Sequence, residues 1–239
     1  MQQRFSMLPE VVKNLLIINV LMYIVSLAFH PTMQNYLALY PFSSDQFRPY
    51  QLVTHMFMHG SLTHIFFNMF ALFMFGRDTE YAFGAKKFLL FYFVTGLGAA
   101  LLHQLANYAE LQYALSKLSP EHINELYTNG LNYLLDEKNF RDESLAYANL
   151  ALNRPAVGAS GAVFGVLAAF GMLYPNRMIM LLIPPIPMKA KYFVLIMGAV
   201  ELYLGFSQYQ SGVAHFAHVG GALFGFLMIL YWRSKGEKF

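Results

Sequence analysis

One serine and four polar side chains stand where hydrolytic chemistry would need them, within stretches otherwise apolar enough for a bilayer. Gly158-Ala159-Ser160-Gly161 opens the run AVFGVLAAFGMLY, directly after a polar segment ending Asn153-Arg154-Pro155. A serine in the first turn of a helix sits beside backbone N–H groups that have no intrahelical partner, and those groups are free to stabilise a negative oxygen. That is half of a hydrolytic site. His64 and Asn68, spaced i, i+4, share one face of a second apolar run, and His215 and His218 stand i, i+3 at the start of a third. Polar side chains inside a membrane span are costly and usually face a functional interior. Glu201, deep in another apolar run, reads either as a protonated structural residue or as a border of an aqueous cavity.

Positioning these groups requires membrane-spanning helices. With 57% hydrophobic and 12% charged residues the chain is too apolar for an ordinary soluble domain. Its net charge of +3 is small and its basic residues lie in loops and tails, so nucleic acid is excluded as a natural partner. The absence of cysteine excludes disulfides, thiolate metal sites and a cysteine nucleophile. Six spans are expected: Leu15–Phe29, Leu62–Gly76, Phe88–Leu105, Ala159–Tyr174, Tyr192–Phe206 and Ala214–Tyr231. The first is read as retained, because bulky His30-Pro31-Thr32-Met33 offers no signal-peptide cleavage site. Residues 107–153 change character, with apolar residues at helical spacing among acidic ones. They read as a helical extracytoplasmic insertion of two or three amphipathic helices within a single membrane domain covering 1–239. Ser119-Pro120 is a cap followed by a first-turn proline. The stretch MIMLLIPPIPMKAK, broken by three prolines, reads as an interfacial connection.

With both termini cytoplasmic, eleven of the sixteen Lys and Arg fall in inner segments, including Arg4 and Lys238, which satisfies the positive-inside rule. Ser160 then lies toward the outer side. From Ser160 to Tyr174 a helix rises about 21 Å, against about 30 Å of hydrocarbon. The hydroxyl is therefore recessed, and it needs a water-filled cavity among the spans. Gly161, Gly165 and Ala169 on the fourth span and Gly221 and Gly225 on the sixth form small-residue stripes that let two backbones meet.

With these features assembled, the chain resembles the rhomboid intramembrane serine proteases in their bacterial, six-span form. HMFMHGSLTHIFFN, GASGAVFG and AHVGGALFG occur in the family's order and cover nearly all six spans. The resemblance implies an all-α polytopic bundle and an endopeptidase cleaving transmembrane protein substrates within or near the bilayer. It implies Ser160 as nucleophile, inside the motif carrying Gly158 and Gly161. His218 is implied as base, because it alone has glycines three and seven residues later, at Gly221 and Gly225. His64 and Asn68 look like the family's oxyanion-binding pair, joined by the Ser160 backbone N–H. His55 and His59 match structural positions, Tyr50-Gln51 stands for a Trp-Arg or Trp-Gln pair, and Phe164 replaces a common tyrosine that packs on the catalytic histidine. The insertion is long for the family. No carboxylate is expected in position to orient His218, which makes the expected machinery a Ser-His dyad with no cofactor and no metal.

Two other readings compete. His55, His59, His64, His215 and His218 are scattered as in membrane di-metal oxidases, although that set leaves Ser160 and Asn68 without a role. A non-catalytic rhomboid-like protein that binds transmembrane helices would keep the fold, and such relatives typically lack the serine or the histidine. The expected location is the cell membrane, with the site opening to the extracytoplasmic side.

Overall fold

Long runs of apolar residues without a breaker build the helices of this protein, and glycine, proline and capping residues end them. The computed structural model describes residues 8–30, 32–180, 185–207, 214–237 and 239. Arg4 and Lys238 of the charge argument, and residues 181–184 of the proline-rich connection, lie outside these.

Helix α1 spans Glu10–Ala28. Its start has no capping side chain of its own. The buried Glu80 carboxylate accepts from the Val11 and Val12 N–H groups instead, at 3.0 and 2.7 Å, a negative group at a helix N-terminus. After the short α2 (Thr32–Leu37), helix α3 (Gln51–Thr54) runs into a 3-10 turn at His55–Phe57. Helix α4 (Leu62–Ala71) is capped by Ser61, whose Oγ accepts from the His64 N–H. The helix does not stop at Gly76, where the second span was expected to end. A π turn over Leu72–Gly76 leads into α5 (Arg77–Phe83), and the break comes at Gly84, whose φ of +77° suits glycine.

Helix α6 covers Ala85–Leu115, ten residues beyond the expected end of the third span, because nothing in ANYAELQYAL interrupts it. At 31 residues it is about 46 Å long, more than a bilayer core requires. Its far end packs with α7 (Pro120–Leu135) and α8 (Glu143–Asn153) around Leu111, Leu126, Leu145 and Leu152, a cluster separate from the main core. Ser119 caps α7 ahead of its first-turn proline.

Helix α9 (Ser160–Leu173) is central, packed against both α6 and α11. Met178–Met180 (β1) and Pro187–Lys189 (β2) pair antiparallel, a hairpin at the connection that the sequence presented only as broken apolar chain. Helix α10 covers Ala190–Phe206 and α11 covers His215–Ser234. Helices α1, α6 and α11 are long and apolar enough to cross a membrane, and Leu62–Phe83 passes the same test with Gln51–Phe57, from which it bends by 94°. Helices α9 and α10, at 14 and 17 residues, are shorter. The chain is a helical, polytopic membrane protein.

Close approach of α9 to α11 follows from the glycines of α11 alone; against expectation, Gly161 and Gly165 of α9 face α6, where an added Cβ would meet Ala99 and Thr95. A methyl group on Gly221 would collide with the Gly161 carbonyl oxygen, and one on Gly225 would press on the Gly165 carbonyl oxygen.

Candidate active site

Three backbone hydrogen bonds fix the segment that delivers Ser160, and their partners are themselves tied down. Leu39 and Ala156 exchange backbone hydrogen bonds of 2.9 and 2.8 Å, and the Gly158 N–H donates to the His55 carbonyl at 2.9 Å. His55 Nδ1 is in turn 2.7 Å from the Gln51 carbonyl oxygen. Gln51 binds the loop before it from both ends of its amide, with Oε1 accepting from Tyr40 and Arg48 and Nε2 donating to the Tyr36 and Gln46 carbonyls. Gly158 itself has φ +130°, a conformation side chains avoid, and a Cβ there would lie 2.8 Å from the His64 ring.

Ser160 begins α9, so its backbone N–H belongs to the first turn and has no carbonyl of the same helix to bind. Its Oγ is 2.8 Å from His218 Nε2 on α11. Phe164, one turn after Ser160, lies flat on the His218 ring, with centroids 4.4 Å apart and planes 4° from parallel. Asn68 is buried and its Nδ2 has no hydrogen-bond partner, leaving a donor aimed at no protein atom. His64 stands edge-on to His59, ring centroids 5.1 Å apart.

The far side of His218 overturns the expectation that no carboxylate reaches it. Glu201 is turned inward from α10, only 8% exposed, and its Oε2 lies 3.0 Å from His218 Nδ1 and 2.7 Å from His215 Nδ1. The His215 contact is an aligned hydrogen bond, whereas the His218 N–H direction meets the oxygen obliquely. The carboxylate was visible in the sequence, but the rotation of α10 that aims it was not. Among the described residues, Glu201, His215 and His218 form the one group of three such side chains whose ligand atoms converge, within 4.8 Å of one another. His55, His59 and His64 do not join it, so the scattered histidines do not assemble into a two-metal set.

Ser160, His218, His64, Asn68, Phe164 and His215 all line one cavity of about 1460 Å³. Its wall is apolar, built by Phe66, Phe70 and Met74 on one side and Phe193, Met197 and Leu204 of α10 on the other. Its rim holds Glu110, Tyr147 and Arg154 from the insertion and its flanks. Burial, then the neighbouring Glu110 charge, push the Tyr147 hydroxyl above its usual pKa, so it stays a neutral donor. His103, also on the lining, drew no attention in the sequence because it stands alone on a long apolar helix.

Comparison with known proteins points to the same family. The family model described as "Eukaryotic integral membrane protein (DUF1751)" matches residues 13–238. The chain is 30% identical to "Rhomboid protease AarA" of Providencia stuartii over 77% of its own length and 56% of that protein's. This chain belongs to the rhomboid family. It is also 26% identical to "Rhomboid protein 1, mitochondrial" of Saccharomyces cerevisiae, covering 78% of this chain and 43% of that one. "RHOMBOID-like protein 6, mitochondrial" of Arabidopsis thaliana is 24% identical over 80% of this chain and 47% of its own. The chain thus spans about half the length of the curated rhomboids it matches.

Proposed function

We propose that this rhomboid is an intramembrane serine endopeptidase that cleaves transmembrane protein substrates. The 2.8 Å approach of Ser160 Oγ to His218 Nε2, in a cavity also lined by His64 and Asn68, carries the reading. His218 Nε2 takes the hydroxyl proton as Oγ attacks the scissile carbonyl carbon, and a tetrahedral oxyanion forms. The Ser160 N–H, Asn68 Nδ2 and His64 bind that oxyanion. His218 then passes the proton to the leaving amine, and water releases the acyl group from Ser160 by the same steps in reverse. The apolar walls accept a spanning helix, and the substrate must unwind locally, because a helical carbonyl is hidden from a recessed nucleophile.

In this reading the polypeptide crosses the cell membrane six times, with α9 and α10 as the short fourth and fifth spans. Both termini are cytoplasmic, and the 107–153 insertion and the cavity mouth face the extracytoplasmic side. The distribution of Lys and Arg supports this orientation. The test is cleavage of a single-span reporter protein in proteoliposomes. Wild-type protein cleaves it, with or without a chelator, and Ser160→Ala does not. Full activity of Ser160→Ala overturns the nucleophile, and loss of wild-type activity on chelation points instead to a metal-dependent enzyme.

A further inference from the structure

A carboxylate with two imidazoles on one of its oxygens is more than the proposed reaction needs if a serine and a histidine act by themselves. Glu201 belongs to α10, a helix that is otherwise turned outward: among its described residues only Ala190 and Glu201 are buried. An ionised carboxylate placed there costs several kcal/mol unless it is paired, so its position calls for partners that hold it. It has two, and both are Nδ1 atoms from one turn of α11, at 2.7 Å from His215 and 3.0 Å from His218.

The chemistry of that arrangement is specific. A carboxylate only accepts, and at 3.0 Å its charge repels a bare ring nitrogen, which favours the His218 tautomer with hydrogen on Nδ1. With hydrogen on Nδ1, the lone pair of His218 is on Nε2, the atom 2.8 Å from Ser160 Oγ. Phe164 stacked on the ring face limits tilting, so the remaining freedom is rotation in the ring plane, which the carboxylate opposes.

We infer that Glu201 is a positioning residue that completes a Ser160–His218–Glu201 triad, with His215 anchoring the carboxylate. Glu201 selects the tautomer of His218 that can accept the serine proton, and its charge stabilises the imidazolium formed while that proton is held. The oblique contact of the resting state tightens when the ring becomes charged. Glu201 is not itself protonated in the cycle. The hydrogen bond between His215 and Glu201 holds Oε2 beside His218. This inference rests on the serine protease reading above, and the two can fail separately.

The decisive comparison uses full-length protein in proteoliposomes with the same reporter, reading kcat and KM per folded molecule for wild type, Ser160→Ala, Glu201→Gln and Glu201→Asp. Glutamine keeps the shape and removes the charge. Loss of the equivalent carboxylate in a serine protease triad lowers kcat about 10⁴-fold, so Glu201→Gln is expected to lower kcat by roughly 10²–10⁴ with KM within about twofold. Glu201→Asp, which keeps the charge but withdraws it by one methylene, is expected to retain more kcat than glutamine. A purely structural link between α10 and α11 predicts a lower melting temperature with unchanged kcat per folded molecule, and that result overturns the inference. So does equal kcat for the Gln and Asp variants. If Glu201→Gln does not fold, Glu201→Asp decides: a clear fall in kcat at constant KM supports the triad, and wild-type kcat overturns it. Full activity of Ser160→Ala would remove the underlying reading, whatever Glu201 does.

Discussion

Helices α9 and α10 are neighbours in the chain and opposites in their surroundings. Ten of the fourteen residues of α9 are buried, and glycine meets carbonyl oxygen where it crosses α11. Helix α10 buries two described residues and turns Leu195, Tyr203 and Phe206 outward, each more than two-thirds exposed. The first surface has one way to pack, and so it can hold an oxygen and a nitrogen at bonding distance. The second buries few residues and forms one wall of the cavity. The densely packed half holds Ser160 Oγ against His218, while the sparsely buried half contributes one carboxylate that reaches across to it.

The largest effect is expected where the tight half is attacked. Gly221→Val places branched carbon into the Gly161 carbonyl oxygen, and overpacking of this kind costs about 1–3 kcal/mol or more. Thermal melting in detergent and cleavage should both be lost, because separating α9 from α11 also separates Ser160 from His218. A tolerated valine would mean that the two helices do not meet as described.

Next comes the proposed oxyanion donor. Asn68→Ala removes an amide nitrogen that has no other partner, so folding should be spared while kcat falls about 10²–10³-fold, the usual effect of deleting one such donor. Unchanged kcat would take Asn68 out of the site. A smaller loss is expected at the stacked ring: Phe164→Leu should slow cleavage by about 2- to 13-fold, the rate equivalent of the 0.5–1.5 kcal/mol that aromatic stacking contributes. At the bottom of the range, Tyr203→Ala on the outer face of α10 should change stability by no more than about 0.5 kcal/mol. A large destabilisation there would show that α10 is packed against something more than its contacts within this chain.

The same contrast explains what was legible in the sequence. Ser160, the glycine stripes and the His64–Asn68 pair were readable because each depends on local spacing along one helix, and GASG and AHVGGALFG state it directly. Glu201 was noticed but not placed. Fourteen positions separate it from His215, and the direction in which α10 points its carboxylate is set by tertiary packing. The polar residues of RDTEYAF gave no sign that the helix continues past Gly76, and only the fold shows that Glu80 caps α1 from there. The β1–β2 hairpin was masked by prolines, and α6 outran its expected end because amphipathic chain can continue an apolar helix without a break.

Reaction with a serine-directed fluorophosphonate, mapped by mass spectrometry on folded wild-type protein and on His218→Ala, tests most directly whether the hydroxyl and the imidazole work together. The account predicts a single adduct on Ser160 in the wild type and none in the variant. A wild-type preparation that stays unlabelled, or a variant labelled at the same rate, would contradict it.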